Sequence, residues 1–277
     1  MNSLPPVTAL LLSVLLCTCD PAQEEVPQEG PVRLSRDSIS LTVDPTYGGR
    51  LISLTYGGKE LLNTERDSSG FTYGSTAWPS PQDDWKWPPP AAIDSEPYTV
   101  QKIDSHSVLL ISRPTEAGLV MQKRFRLGPE SDIGLTYWLT NKGDSTRSVA
   151  AWEVTRLPYG GRVDFVADSL RTTDATTDIV ESQDSLRTIF FDDRHAQSAK
   201  VFANLLRIPV SYYRDGIVLH KETIVTDFYR VAPEQAPLEI FFDPERKFME
   251  LELQGDYREL GYGETATLRT RWVVRNY

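Results

Sequence analysis

The feature that most constrains this chain is a period of two. From Val32 onward, apolar residues recur at alternate positions in short runs, and each run is broken by Gly, Asn, Asp or Pro. That spacing puts apolar side chains on one face of an extended strand and polar ones on the other. Ser38 to Val43 sets Ile39, Leu41 and Val43 on one face, and Arg50 to Tyr56 repeats the pattern before Gly57-Gly58 turns the chain into Lys59-Glu60. Further runs follow at Tyr98 to Lys102, Ser107 to Ser112, Gly118 to Leu127, Ile133 to Thr140 and Ser148 to Leu157. Regular spacing of this kind predicts an all-β fold, a sandwich or barrel. Asp164 to Thr188, rich in Asp, Ser and Thr, reads as peripheral strands and loops. Strand patterns return at Ser198 to Leu206, Ser211 to Asp215, Ile217 to Lys221, Phe228 to Val231, Leu238 to Phe242, Met249 to Leu253 and Ala266 to Val274. With no helical periodicity, no repeat and no Gly/Ser linker, residues 32–277 read as a single domain.

One stretch departs from this rhythm. Phe71 to Tyr98 carries three of the six tryptophans and six of the nineteen prolines. Proline fixes φ and removes a backbone donor, so Trp78 to Pro90 reads as a stiff loop, neither helix interior nor central strand. Trp78, Trp85 and Trp87 beside Gln82, Asp83 and Asp84 would offer flat apolar faces edged by an amide and carboxylates. A sugar presents the reverse pattern, an apolar ring face edged by hydroxyls. The competing reading is a proline-stiffened plug whose indoles point into the core.

A formal charge of −10 and a pI near 4.9, with no basic run longer than Lys123-Arg124, argue against nucleic acid or an anionic membrane surface as partner. A neutral polyol is compatible with that balance. Both cysteines, Cys17 and Cys19, follow the apolar run Ala9 to Leu16, which is too short to span a bilayer and suits the core of a secretory signal in residues 1–19. The segment before it has no Lys or Arg. Leu16-Cys17-Thr18-Cys19 is similar to a lipoprotein box with Thr at a position that usually holds a smaller residue, so lipidation at Cys19 and ordinary cleavage both stay open. Residues 20–31, polar and Pro-rich, read as a tether. The expectation is export, to the periplasm or as a surface lipoprotein, and a monomer.

Three places carry a family resemblance. Tyr47-Gly48-Gly49-Arg50-Leu51-Ile52-Ser53-Leu54 with Gly58-Lys59-Glu60-Leu61-Leu62 looks like an opening hairpin; Thr140-Asn141-Lys142-Gly143-Asp144 leads into Trp152-Glu153-Val154-Thr155-Arg156-Leu157; and Leu251-Glu252-Leu253-Gln254 precedes Leu260-Gly261-Tyr262-Gly263-Glu264. In this order they resemble the galactose mutarotase-like superfamily, the large antiparallel supersandwich of aldose 1-epimerases, while the Ser-Pro-Gln-Asp-Asp-Trp core of the Trp/Pro loop looks closer to a bacterial branch of it. Tyr262 stands where that family usually has proline. The resemblance implies acid/base chemistry at the anomeric carbon of a sugar, without metal or other cofactor. It implies that the base is Glu252, on the late strand where Glu250, Glu252 and Gln254 share one face. The family's acid and substrate-holding groups are histidines, and here the match fails. Trp152-Glu153 stands where the first would be, and His106, His195 and His220 lie in no such motif.

That departure leaves two readings. In the first, Glu153 replaces the missing acid, its pKa raised by burial. In the second, the cleft binds a saccharide without turning it over, or serves as a protein-docking surface. For binding, the candidate residues are Trp78, Gln82, Asp84, Trp85 and Trp87 from the loop, with Trp152 as stacking floor, Arg156 as donor, and Gln254. No metal site is expected, since the adjacent pairs Asp83-Asp84 and Asp192-Asp193 point to opposite faces of any strand and no Cys/His set exists. A serine nucleophile also lacks its Gly-x-Ser-x-Gly elbow.

Overall fold

The computed structural model describes residues 30–173, 179–192, 197–224 and 230–277. Its strands are β1 (Val32–Arg36), β2 (Ile39–Asp44), β3 (Arg50–Tyr56), β4 (Lys59–Glu60), β5 (Ser75–Ser80), β6 (Thr99–Asp104), β7 (Ser107–Ile111), β8 (Leu119–Leu127), β9 (Asp132–Asn141), β10 (Arg147–Pro158), β11 (Arg162–Thr172), β12 (Val180–Gln183), β13 (Leu186–Phe190), β14 (Ala199–Arg214), β15 (Ile217–Thr223), β16 (Leu238–Asp243), β17 (Phe248–Gln254), β18 (Arg258–Leu260) and β19 (Thr265–Asn276). A single-turn helix, α1 (Ala91–Asp94), follows a 3-10 turn at Gln82–Asp84. The architecture is the expected all-β, antiparallel one.

Both layers of the sandwich grow from β14. Its first half, Ala199 to Ala203, pairs with β16, and from there the ladder runs through β17 and β10 to β5. Its second half, Val210 to Arg214, pairs with β15 and leads through β19, β9, β8 and β7 to β6. One strand thus turns the sheet over onto itself, and the layers bury Leu251, Leu253, Ile240 and Val201 from one side against Leu219, Leu268 and Trp272 from the other.

Five expectations need correction. Ser198 to Leu206 and Ser211 to Asp215 are one strand, because the irregular stretch between them still pairs with β11 through register shifts. β11, placed at the periphery by composition, is paired along β14 and β13. Trp78, Pro79 and Ser80 belong to β5 rather than to a loop. Beyond Ser75, β5 pairs only with β10, so the missing donor of Pro79 faces the open side of the strand, where it costs no ladder bond. Of Phe228 to Val231, residues 228–229 lie outside the described residues, and Arg230 and Val231 are not in a strand.

The fifth concerns Glu153. On β10, Trp152, Val154 and Arg156 face one way, and Glu153 and Thr155 face the other, into the space between the layers. There Glu153 is fully buried, ion-paired with Lys221 at 2.7 Å and accepting a hydrogen bond from the Thr270 hydroxyl at 2.7 Å. Lys221 also donates to Thr155 Oγ1 at 2.7 Å. Glu153 therefore does not share a cleft with Glu252: odd and even positions of one strand cannot.

This pair yields a stability prediction. Lys221→Met should destabilise the protein by about 3–5 kcal/mol in urea unfolding, since Glu153 would lose its cation inside the apolar core and keep only the Thr270 hydroxyl. Adding Glu153→Leu to that variant should recover most of the loss.

Candidate functional site

The outer face of the first layer carries the polar groups. Register sets them in rows across the strands. Lys200 on β14 lies beside Phe241 on β16, Phe241 beside Glu250 on β17, and Glu250 beside Arg156 on β10. In the next row Phe202 is followed by Glu239, Glu252, Val154 and Thr76. In a third, Gln254, Trp152 and Trp78 stand side by side. Over this face lies a hollow of about 400 Å³. Its aromatic walls are Phe71, Trp78, Trp87, Trp152, Phe241 and Phe248, and its polar groups are Ser69, Thr72, Gln82, Lys200, Arg246 and Glu250.

The indoles are held from beneath by carboxylates. Trp152 Nε1 donates to Glu252 Oε2 at 2.9 Å, and Trp78 Nε1 donates to Asp94 Oδ1 at 2.6 Å. Arg50 Nη2 ties that same Asp94 oxygen down at 2.8 Å, so the polar edge of Trp78 is anchored by an ion pair with almost no solvent exposure. The two rings meet edge to face, 5.3 Å apart and at 77°. Trp87, 54 % exposed, stands edge-on to Trp78 at 6.0 Å and to Phe71 at 4.5 Å. Each indole in the wall is thereby fixed in tilt, two of them by bonds that a rotamer change would break.

Lys200 is the centre of charge. Its ammonium lies 2.7 Å from Glu239 and 3.0 Å from Glu252, both fully buried, and 5.0 Å from the Trp152 ring. Burial pulls its pKa down, but the two carboxylates outweigh burial and raise it, so the group is held as a cation. Burial pushes the Glu252 carboxyl up to about 8, against the pull of Lys200 and with the repulsion of Glu239 and Glu250. Two carboxylates facing one ammonium share what a single positive charge can offer, and a proton on one of them relieves the rest.

The residues anticipated from sequence are distributed as follows. Trp78, Gln82, Trp87 and Trp152 line the hollow, but Trp78 and Trp152 are buried members of the apolar core, as the plug reading expected of the loop's indoles, and Trp87 is the exposed ring. Asp84 and Trp85 line a second hollow on the far side of the 81–90 segment. Arg156 is fully buried, donates to Glu250 Oε1 at 2.7 Å and sets its guanidinium 4.9 Å over the Trp78 ring. Gln254 is buried and donates to Gln235 and Glu239 at 3.2 Å each. Glu252 is on the hollow's face but beneath Lys200 and Trp152, with no exposure of its own. Cys19 and His195 lie outside the described residues. Sequence reasoning missed Lys200, Glu239, Phe241 and Arg246. The alternation of Lys200 and Phe202 with Ala199, Val201 and Ala203 was the available signal, but it does not say which face meets a hollow. Among the described residues, no group of three or more His, Cys, Asp or Glu could hold a metal ion.

No protein-family model matches the chain, and no curated protein matches its sequence at a significant level. Solved structures do match its shape. It is similar to a galactose mutarotase-like protein from Lactobacillus casei, with a TM-score of 0.66, 13 % identity, and 89 % of this chain and 100 % of that one covered. A galactose mutarotase-like protein from Clostridium acetobutylicum matches with a TM-score of 0.61, 13 % identity, and coverage of 89 % and 95 %. The GalM/aldose epimerase homologue from C. elegans matches with a TM-score of 0.56, 11 % identity, and coverage of 89 % and 99 %. The chain has the galactose mutarotase-like fold.

The raised pKa of Glu252 gives a testable pH dependence. In the unfolded chain its carboxyl ionises near the usual glutamate value, whereas in the fold it stays protonated until about pH 8. Its contribution to stability is therefore present in full at low pH and is lost as pH rises through that window. Glu252→Gln keeps an acceptor for Trp152 and Lys200 but cannot ionise. Urea unfolding between about pH 5 and pH 8 should show the wild type losing more stability than this variant.

Proposed function

We propose that this protein binds a saccharide in the hollow between Trp78, Trp87, Trp152 and the Lys200–Phe241–Glu250 row. One observation carries the reading: indoles fixed in tilt enclose a sugar-sized space whose edges bear an ammonium, a carboxylate and an amide, from Lys200, Glu250 and Gln82. An apolar sugar face stacks on Trp87, the exposed indole of the wall, and hydroxyls bond to the polar edges. The mutarotase-like fold is consistent with it, its neighbours including an aldose epimerase homologue. Export to the periplasm or cell surface, with or without lipid on Cys19, belongs to the same proposal and rests on the apolar run Ala9 to Leu16.

A second reading, interconversion of anomers, is favoured by the placing of Lys200 and Glu250 on either side of Phe241. The hollow there meets both a donor, Lys200, and an acceptor, Glu250, the two kinds of group that acid/base exchange at a sugar needs. The electrostatics rank it second. Lys200 is held more firmly protonated than a free lysine, which suits it to donate a hydrogen bond rather than to release a proton. Glu252, which titrates near neutrality, is sealed from the hollow and acts on a ligand only through Lys200 and Trp152.

Calorimetric titration with neutral mono- and disaccharides tests the first reading. Binding should be measurable for at least one, and Trp87→Ala, a change at an exposed ring, should weaken it about ten-fold. Absence of heat with every sugar would remove the proposal. Polarimetry on freshly dissolved aldoses tests the second: faster anomer exchange, abolished by Glu250→Gln and by Lys200→Met, would establish catalysis, and an unchanged rate in the presence of binding would leave recognition alone.

A further inference from the structure

We infer that the ligand is a neutral oligosaccharide rather than a single sugar, laid across two hollows that share the Trp78–Pro90 wall; this builds on the saccharide reading of the first. The second hollow, about 510 Å³, is the larger, and Trp85, Pro81, Pro88 and Pro90 form much of its surface. Trp85 is fixed there as firmly as its neighbours, its Nε1 donating to the Pro79 carbonyl at 2.9 Å. Trp78 stands between the two spaces, 6.1 Å from Trp85 and 6.0 Å from Trp87. Trp78 is itself buried, and it props an accessible ring on each side of the segment: Trp87, exposed, at the first hollow and Trp85, half-buried, at the second. A chain of linked sugar rings repeats an apolar face at each unit and can use such a series; a lone monosaccharide cannot. The prolines keep the wall stiff, so little ordering cost opposes a long, shallow contact.

Charge selects among glycans. The first hollow presents Lys200 and Arg246 with Glu250, whereas the second presents Asp84, Glu96 and Glu116 with Arg147. Arg147 already donates its Nε to the Ala117 carbonyl at 2.9 Å. A polyuronate crossing from one to the other would set carboxylates against three carboxylates at one end, and a polycationic chain would meet two cations at the other. A neutral chain meets neither penalty, and its hydroxyls bond to groups of both signs.

The experiment is titration of the full chain with neutral gluco-, manno-, galacto- and xylo-oligosaccharides of increasing length, and with oligogalacturonates. Affinity for one neutral series should rise about ten-fold from the monosaccharide to the longer members. Trp85→Ala should cut the affinity of the long members more than that of the monosaccharide. Asp84→Lys with Glu116→Lys, both at exposed side chains, should raise oligogalacturonate affinity several-fold, a gain that a misfolded variant would not give. Affinity that is flat with length, or wild-type binding of oligogalacturonates as tight as that of the neutral series, would overturn the inference while leaving single-sugar binding intact. If no saccharide of any length binds, the reading of the first hollow fails with it.

Discussion

β10 is buried on both faces and carries charge on both, and much of the molecule follows from that constraint. Between its neighbours β5 and β17 it has no solvent to turn to, so each charged group on it must find its partner within the protein. On the inner face Glu153 finds Lys221, reaching from the opposite layer, and the pair joins the two sheets through a polar contact inside an apolar core. On the outer face Arg156 finds Glu250 one strand away, and this bond keeps a carboxylate at the wall of the hollow. Alternation along a single strand thus separates a group that holds the sandwich together from a buried group that braces the wall of the hollow.

The same logic makes the aromatic wall rigid. A buried indole N–H needs an acceptor, and here the acceptors are carboxylates that themselves need cations. Trp78 leads to Asp94 and then Arg50; Trp152 leads to Glu252 and then Lys200. Each chain of bonds ends in a positive charge, so moving either ring would disturb the carboxyl's bond to that cation as well as the indole's own hydrogen bond. Glu252 is consequently read as a positioning group. Its carboxyl holds a ring and a lysine in place and has no surface with which to touch a ligand.

Much of the fold was legible because strand alternation is local. Ile39, Leu41 and Val43 declare their face without reference to anything distant, and the Gly57-Gly58 turn declares the hairpin that follows. Trp78-Pro79-Ser80 was misread for a reason that is equally physical: proline forbids a central strand, but a strand paired on one side only has room for it. The site was less legible. That Glu250, Glu252 and Gln254 share a face could be read from the order of residues; that Lys200 would lie over Glu252 could not, because β14 and β17 meet only through β16, some fifty residues of chain apart. The expected partnership of Glu153 with Glu252 failed on strand parity, which was itself visible in the sequence once the facing of Trp152 was settled.

The central claim is that fixed indoles and the Lys200–Glu250 edge form a seat for a sugar ring. A crystal structure of the protein grown with a saturating neutral oligosaccharide examines it most directly. A pyranose ring should stack against the exposed face of Trp87, with hydroxyls bonded to Lys200 and Glu250. A sugar bound elsewhere on the molecule, with this hollow left to solvent, would contradict it.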